Sequence, residues 1–321
     1  LQKESEINFQ KIERAKCDLS FPVSDDFCEV WLHGPQDSNS KKDITASLRI
    51  FAKELCDFIR IGQGITVVSE KNGPSDLVTE MDSGIEMLIR IWIKKYLPNH
   101  KIIGEEGSKD QITLDDYVWY IDPIDGTSNY IKKIKNVTLH LCCLYQGKPY
   151  ITVVGLPFYD ELFVEDEISL GGLTLADENL IGTEYKASLA KDNDIYKRIL
   201  SELDAKPYRV NCIGINLLGF LNNKSVAFYK NHIKIWDLIA PAALLYFLAK
   251  DVLDIKIFIP KDNGDVTQEN MLELDLFSNS PEFVARLNSE HLGECRIGLV
   301  LVTPKERPKV RKVILNEFIS A

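Results

Sequence analysis

The sequence predicts a mixed α/β protein, in which amphipathic helices alternate with short apolar strands. Two observations support this fold class. Over residues 44–60 the apolar side chains recur at three- and four-residue spacing, as on one face of a helix. Several short runs, such as 118–121 and 150–154, are instead rich in β-branched and aromatic residues, which is typical of strands. This alternation predicts mixed α and β structure and no particular architecture.

The composition bounds the functions that the chain can serve. A chain of 321 residues, 45% of them hydrophobic, can bury a sizeable core in one large domain or two closely packed ones. A formal net charge of −10 argues against non-specific binding to nucleic acid or to an anionic membrane. The seven cysteines include no Cys-x-x-Cys pair, which predicts reduced, structural thiols.

The N-terminal stretch, residues 1–43, carries no chemistry that its residue types identify. Its first residues are too charged for a signal peptide, and no apolar run approaches the roughly 18 residues of a membrane span. We therefore expect a cytoplasmic protein without membrane contact. Residues 37–43 read as a polar linker. We expect this extension to be a packing arm or a lid over the rest of the chain.

The next segments alternate helix, strand and helix. After the amphipathic helix at 44–60, residues 65–69 read as a strand and 71–75 as a turn that contains Lys71. The stretch 76–82, Asp-Leu-Val-Thr-Glu-Met-Asp, leads into a second amphipathic helix. Asp82 therefore has two interpretations, as a helix N-cap or as a functional carboxylate, and one residue can serve both.

A short strand at 101–103 ends in the loop Gly104-Glu105-Glu106-Gly107. Adjacent glutamates on a loop are usually solvated charges. Here they directly follow a strand, and Glu105 stands seventeen residues before Asp122. Both interpretations, surface charge and metal ligand, are open at this point.

Residues 118–130, Val-Trp-Tyr-Ile-Asp-Pro-Ile-Asp-Gly-Thr-Ser-Asn-Tyr, carry the strongest chemical signal. A buried strand at 118–121 delivers Asp122 and Asp125 into a turn, and carboxylate oxygens are the ligands that Mg²⁺ prefers. Gly126 allows the backbone to approach a ligand closely, so that the N–H groups of Gly126 and Thr127 can bind phosphate oxygens. Asp-Pro and Asp-Gly taken singly would indicate no more than a turn.

Strands and one further aspartate follow. Residues 137–144 and 150–154 predict a hairpin, and 161–164 another strand. Near the C-terminal end, residues 234–240 read Lys-Ile-Trp-Asp-Leu-Ile-Ala and precede an apolar helix. Asp237 there is either an N-capping residue or a ligand. The five histidines show no metal-ligand spacing, and we expect His140 to be a core residue.

The string Asp-Pro-Ile-Asp-Gly-Thr-Ser-Asn at 122–129 resembles the signature of the inositol monophosphatase family. Three more of its elements occur in the family's order: Asp-Leu-Val-Thr-x-x-Asp at 76–82, Gly-Glu-Glu at 104–106 and Trp-Asp-x-x-Ala at 236–240. The resemblance spans residues 44–318. It implies a layered α-β-α-β-α sandwich like that of the inositol monophosphatases and fructose-1,6-bisphosphatases, and a homodimer.

The resemblance also implies a division of the chain and a metal site. Residues 44–168 would form an N-terminal α+β half with most metal ligands, and residues 169–321 a C-terminal α/β half with Asp237. The expected cofactor is Mg²⁺, as two or three ions. The metal ligands that the resemblance implies are Glu105, Asp122, the carbonyl of Ile124, Asp125 and Asp237. Glu106 is the second choice in place of Glu105.

The implied activity is that of a Mg²⁺-dependent phosphoric monoester hydrolase. In the family pattern, Thr127 hydrogen-bonded to Asp82 would orient or deprotonate the attacking water. Asp125 and the amides of Gly126 and Thr127 would contact the substrate, and Lys71 would approach the phosphate. Lithium inhibition is expected, since Li⁺ can replace a catalytic Mg²⁺ in this family.

The chain departs from the family pattern at three places, two of which bear on the substrate, a small phosphorylated metabolite. Seven residues before Asp237, where animal members have a glutamate, this chain has Lys230, which suits a second anionic group. The family's Glu-Ala-Gly-Gly is replaced by Leu-Ala-Lys-Asp at 248–251, and its Gly-Ala-x-x-Asn-Gly is absent. Two alternatives therefore stay open: a 3′(2′),5′-bisphosphate nucleotidase, and a regulatory or binding protein that retains the fold.

Overall fold

The structure, a computed structural model, is described here over most of the chain. The described ranges are 34–64, 68–70, 77–165, 180–183, 190–220, 225, 227–249, 251, 253–260, 271–277, 296–305 and 307–319. Lys71 and the rest of its turn at 71–75 lie outside these ranges, as does most of the N-terminal extension.

Within the described ranges the chain forms seven helices and thirteen strands. The helices are α1 (Lys41–Gly62), α2 (Glu80–Tyr96), α3 (Thr127–Ile131), α4 (Ala190–Glu202), α5 (Ile213–Leu218), α6 (Ile235–Ala249) and α7 (Pro308–Ile319). The strands of the first part are β1 (Val68–Glu70), β2 (Leu77–Thr79), β3 (Lys101–Gly104), β4 (Tyr117–Asp125), β5 (Thr138–Tyr145), β6 (Lys148–Leu156) and β7 (Glu161–Val164). The later strands are β8 (Leu180–Thr183), β9 (Lys206–Tyr208), β10 (Ala227–Lys234), β11 (Leu253–Pro260), β12 (Met271–Asp275) and β13 (Arg296–Pro304).

The first sheet has the strand order β3-β4-β5-β6-β7. Strands β3 and β4 run parallel, and the remaining neighbours are antiparallel. The predicted hairpin is β5–β6, and both of its turn residues, Gln146 and Gly147, have positive φ angles of 50° and 70°. This pattern matches the left-handed turn that joins two twisted antiparallel strands.

The second sheet has the strand order β12-β11-β13-β10-β8-β9. Strand β8 runs parallel to both of its neighbours, β9 and β10. The pairs β10–β13, β13–β11 and β11–β12 are antiparallel. A separate antiparallel pair, β1–β2, leads into α2. Strand β10 runs directly into α6, so it fixes where that helix begins.

The helices and sheets alternate in five layers. Successive residues of β4 face opposite sides: Trp119 packs in one hydrophobic cluster with α1 and α2, and Tyr120 in another with α5 and α6. Phe228 of β10 belongs to the second cluster, whereas Tyr229 packs in a third with α4 and α7. The order is therefore helices, five-stranded sheet, helices, six-stranded sheet, helices, which confirms the predicted layered α-β-α-β-α sandwich.

Two elements differ from the sequence prediction at their boundaries. Strand β4 continues to Asp125, so Asp122 and Asp125 lie in the strand and not in a turn after it, because both residues pair with β5 across a register shift. Helix α1 begins at Lys41, with the Ser40 hydroxyl accepting from the amide of Asp43, so the polar residues 41–43 are helical and do not belong to a linker. A serine N-cap explains the earlier start, because it satisfies one of the unpaired amides of the first turn. Among the described residues, no helix has the length and apolar character needed to cross a membrane.

Candidate metal centre

The parallel pair β3–β4 places the first two acidic side chains next to each other. Gly104, the last residue of β3, is paired with Ile121 of β4, and Glu105 and Asp122 follow at the same edge. The amide of Glu105 donates a hydrogen bond to the carbonyl of Ile121 at 3.2 Å. Two segments that the sequence separates by seventeen residues therefore present their carboxylates side by side.

Asp237 joins them from the other part of the chain. It lies in the first turn of α6, which follows β10 without a break. One ligand atom each of Glu105, Asp122 and Asp237 lies within 4.8 Å of the others. Asp122 is buried and the other two are partly buried.

The three carboxylates repel one another, and a bound cation would relieve this repulsion. Burial, followed by the charge of Glu105, raises the pKa of Asp122 well above its usual value. Burial and Glu105 likewise raise the pKa of Asp237, although Lys234 and Lys230 oppose the rise. Each carboxylate therefore makes ionisation of the others less favourable. Carboxylate oxygens at this spacing fit a divalent cation such as Mg²⁺, which removes that repulsion.

Asp125 is held by strand β5 of the first sheet and by the beginning of helix α5. Its Oδ2 accepts hydrogen bonds from the amide of Gly214 at 2.6 Å, the hydroxyl of Thr138 at 3.1 Å and the thiol of Cys212 at 3.2 Å. These donors fix the carboxylate by one oxygen. A metal ion bound by Asp125 would use the other oxygen, Oδ1.

His140 lies close to both Asp122 and Asp125. Its Nδ1 is 3.9 Å from Asp122 Oδ2, and its Nε2 is 3.6 Å from Asp125 Oδ2 and 2.9 Å from Thr138 Oγ1. Burial lowers the pKa of the imidazole, so the ring is neutral near pH 7. His140 is buried as expected of a core residue, but it packs against carboxylates.

Glu105, Asp122 and Asp237 are called the acidic cluster below. Thr127 and Asp82 form a hydrogen-bonded pair at its edge. The Thr127 hydroxyl lies 3.2 Å from Asp82 Oδ1 and 3.1 Å from the carbonyl of Ile124. The other oxygen of Asp82 accepts from the amide and the hydroxyl of Thr79. Asp82 is not the N-cap: Thr79 is, and Asp82 completes the capping box three residues into α2. The same aspartate thus belongs to the capping box of α2 and contacts Thr127.

Gly126 and Asn129 shape the turn after β4. Gly126 has φ = 92°, and an added Cβ would meet the carbonyl oxygen of Asn136 at 2.9 Å, so both backbone conformation and space favour glycine. The side-chain amide of Asn129 lies within 3.0 Å of the carbonyls of Asn136, Val210 and Asn211. This contact ties the central motif to the loop before α5.

The loop that carries Glu105 is held by Glu86 of α2. The buried carboxylate of Glu86 accepts from the amides of Glu106 and Gly107, each at 2.7 Å, and from Arg90 Nε at 2.7 Å. Glu106 thus contributes its backbone to this anchor, whereas the side chain of Glu105 joins the acidic cluster. This geometry favours the first choice of ligand.

Positive side chains surround the acidic cluster. Lys234 Nζ lies 2.9 Å from Glu105 Oε1, and Lys230 is close enough to lower the pKa of Asp237. Lys109 Nζ lies 4.8 Å from the ring centroid of Trp236, the residue before Asp237. Lys230 is thus near the acidic cluster, while Lys71 is outside the described residues.

The sequence alone did not identify the residues that donate hydrogen bonds to Asp125. Thr138, Cys212 and Gly214 carry no motif, and Cys212 and Gly214 lie more than 80 residues after Asp125. The local pattern of β5 predicts only a buried strand, which hides the polar role of Thr138. One signal was available: a polar Thr and His at alternate positions of an otherwise apolar run point to the same face of the strand.

Comparison with known proteins assigns the chain to a family. Residues 42–246, more than half of the chain, match the model of the inositol monophosphatase family. The Nus factor SuhB of Escherichia coli strain K12 is 31% identical over 180 residues, which are 55% of this chain and 63% of SuhB. The inositol-1-monophosphatase of Bacillus subtilis is 36% identical over 97 residues, 30% of this chain and 37% of that enzyme. The chain thus spans less than two thirds of the length of these curated relatives.

Solved structures extend the likeness to the fold as a whole. A structure of an inositol monophosphatase/NADP phosphatase complexed with Mg²⁺ and phosphate has a TM-score of 0.64 at 20% identity, over 85% of this chain and 95% of that one. A staphylococcal inositol monophosphatase, in a complex described as inhibitory after a LiCl soak, has a TM-score of 0.63 at 19% identity, over 85% and 95%. At such identities the likeness concerns the fold alone. With the family match over residues 42–246, it leads to one conclusion: this chain belongs to the inositol monophosphatase family.

Proposed function

We propose that this chain catalyses the Mg²⁺-dependent hydrolysis of a small-molecule phosphate monoester. The observation that carries the proposal is the convergence of Glu105, Asp122 and Asp237 within 4.8 Å, beside the hydrogen-bonded pair of Thr127 and Asp82. Membership of a family that includes inositol monophosphatases supports a phosphatase.

The proposed cofactor is Mg²⁺, as two or three ions. Glu105, Asp122 and the carbonyl of Ile124 would hold one ion, and Asp122, Asp125 and Asp237 another. Bound magnesium supplies Lewis-acid chemistry: it makes water more acidic and neutralises negative charge on the phosphoryl group and the leaving oxygen. A related structure complexed with Mg²⁺ and phosphate supports this choice of ion.

Thr127 and Asp82 would prepare the attacking water. When the Thr127 hydroxyl donates its proton to Asp82 Oδ1, its oxygen lone pairs can accept a hydrogen bond from a water. The two donors from Thr79 hold Asp82 in place for this role. Gly126 has a left-handed backbone conformation, and the N–H groups of Gly126 and Thr127 would bind phosphate oxygens.

The substrate that we propose carries a second anionic group. Lys230 adds a positive charge near Asp237, and a cation there suits a phosphate, sulfate or carboxylate better than a neutral polyol. A 3′(2′),5′-bisphosphate nucleotide is the alternative within this class. The related inositol monophosphatase/NADP phosphatase is described as acting on a nucleotide as well, which supports including nucleotides among the candidates.

A regulatory or binding role is the second candidate function. It is favoured by the similarity to the Nus factor SuhB. Against it stands the full set of acidic residues, because buried carboxylates in mutual contact cost stability unless they bind a cation. We further propose inhibition by Li⁺, as in the staphylococcal complex, and a homodimer.

Phosphate release from a substrate panel tests the proposal. The panel holds inositol monophosphates, fructose 1,6-bisphosphate, 3′-phosphoadenosine 5′-phosphate, NADP and sugar phosphates, each with Mg²⁺ and with EDTA. We expect release from at least one compound, with Mg²⁺ only, and a preference for compounds with a second anionic group that Lys230→Glu reduces. Absence of release across the panel by a protein that binds Mg²⁺ would favour the regulatory candidate.

A further inference from the structure

The acidic cluster already contains one cation that belongs to the chain itself. Lys234 Nζ forms an ion pair with Glu105 Oε1 at 2.9 Å, and only 20% of the lysine side chain and 13% of the glutamate side chain are exposed. Partial burial weakens the screening of this pair by solvent. The ammonium group thus binds the same carboxylate that is expected to bind a metal ion.

The position of this lysine is fixed by secondary structure. Lys234 is the last residue of β10, and α6 begins at the next residue. It therefore stands three residues before Asp237 at a junction between two regular elements. Its neighbour Trp236 is buried, and the ammonium group lies 5.6 Å from the centroid of the indole ring, within the range of a cation–π contact.

The charge of Lys234 acts on more than one carboxylate. Ligand atoms of Asp122 and Asp237 lie within 4.8 Å of one of Glu105, so an ammonium group bound to Glu105 is also close to these two carboxylates. With Glu105, Asp122 and Asp237 ionised, the cluster carries a charge of −3, and one ammonium group reduces it to −2. A divalent ion that binds Glu105 must displace the ammonium group or accept repulsion from it.

We propose that Lys234 is a resident cation of the metal centre, which neutralises Glu105 and competes with Mg²⁺ for that carboxylate. The chain would then bind fewer Mg²⁺ ions, or bind the weakest of them less tightly, than the carboxylates alone would allow. This inference rests on the metal centre of the proposed function.

Titration calorimetry with Mg²⁺ tests the inference on the full chain, without substrate. Lys234→Met removes the ammonium group and keeps an unbranched side chain of similar length. We expect it to bind the weakest Mg²⁺ about tenfold more tightly, or to gain one binding event, because one partly buried charge-assisted contact no longer competes. Lys234→Arg should resemble the wild type.

Lys109→Met is the matched control. It also removes a positive charge from the face of Trp236, from which Lys109 Nζ is 4.8 Å away. We expect its Mg²⁺ affinity to stay within about threefold of the wild type. Thermal unfolding in EDTA and in Mg²⁺ checks that each variant is folded, and Mg²⁺ should raise the melting temperature of Lys234→Met more than that of the wild type.

The outcomes separate this inference from the proposed phosphatase. Unchanged or weaker Mg²⁺ binding by Lys234→Met overturns the role of Lys234, and so does an equal gain in Lys109→Met. If the wild type releases phosphate with Mg²⁺ in those cases, the phosphatase stands without the inference. If the wild type releases none but Lys234→Met gains Mg²⁺ affinity, the inference stands and the phosphatase fails.

Discussion

At the scale of the residue, Thr127 tests the chemistry of the site most specifically. Its hydroxyl contacts Asp82 Oδ1 at 3.2 Å and can orient a water through its oxygen. We expect Thr127→Val to reduce kcat by roughly 10²-fold or more, the usual contribution of a general-base contact, and to leave Mg²⁺ binding unchanged. Thr127→Ser retains the hydroxyl and should recover most of the activity. Equal losses in both variants would show that the hydroxyl alone does not account for the effect of Thr127.

Thr138 provides a second test at this scale, because the same substitution can be made at a matched position. Thr138→Val removes a donor to Asp125, and we expect Mg²⁺ affinity and turnover to fall by about tenfold, as for other groups that orient metal ligands. Thr152 on β6 is equally buried and donates to the carbonyl of Ala240. Thr152→Val should cost about 1 kcal/mol of stability and spare Mg²⁺ binding. If the two variants bind Mg²⁺ equally well, the hydrogen bond from Thr138 does not orient Asp125 for metal binding.

The sequence was informative about residues with local context and silent about the others. Asp122, Asp125 and Thr127 belong to one continuous motif at the end of a strand, so their proximity could be predicted directly. Glu105 and Asp237 could be paired with them only through the family resemblance, since 132 residues separate the two along the chain. Contacts such as Gly214 to Asp125 depend on tertiary packing, which no local pattern reports.

At the scale of the element, the β3 loop depends on a helix that precedes it. Glu86 of α2 accepts both loop amides that follow Glu105. In Glu86→Gln one of the two oxygens becomes a donor, so one amide loses its acceptor and the loop is less well fixed. We expect Mg²⁺ affinity to fall severalfold and the folding stability by about 1–3 kcal/mol.

The control for Glu86 is Asp110, a carboxylate that contacts β3 itself instead of the loop after it. Asp110 accepts from the amide of Ile102 at 2.9 Å and pairs with Lys94. Asp110→Asn should change stability but not Mg²⁺ affinity. A similar loss of Mg²⁺ affinity in both variants would mean that general loosening of β3 is responsible, and that Glu86 has no specific effect on Glu105.

Secondary structure was predicted well where the pattern was long. Helices α1 and α2 have apolar faces at helical spacing, and the hairpin β5–β6 is marked by Gly147 between two strand-like runs. Short strands such as β9, with Pro207 at its centre, carry too little pattern to be predicted, since their pairing with β8 depends on the rest of the sheet. The layer order likewise came from the family resemblance.

At the scale of the whole molecule, the acidic cluster links stability to pH and to metal. In the metal-free protein the pKa of Asp122 is raised above its usual value of 3.8, so the folded state binds more protons than the unfolded state between 3.8 and the raised value. The free energy of unfolding therefore falls as the pH rises through that window, and the loss is complete above it.

Asp122→Asn removes this penalty. Without metal, we expect the variant to melt at a higher temperature than the wild type near neutral pH, and this advantage to shrink as the pH falls towards 4. Mg²⁺ should raise the melting temperature of the wild type more at neutral than at acidic pH, and should have little effect on the variant. A metal-free variant that is less stable than the wild type at neutral pH would contradict the proposed repulsion among the carboxylates.

In the proposed function, the acidic cluster binds the Mg²⁺ that supports phosphate ester hydrolysis. The most direct test compares phosphate release by the wild type, Asp122→Asn and Asp115→Asn, with Mg²⁺ and with EDTA, on the best substrate of the panel. Asp115 is an exposed acid shortly before the same strand and serves as the matched control. We predict Mg²⁺-dependent release by the wild type and Asp115→Asn, and none by a folded Asp122→Asn. Release that survives in Asp122→Asn, or that continues in EDTA, would contradict the claim.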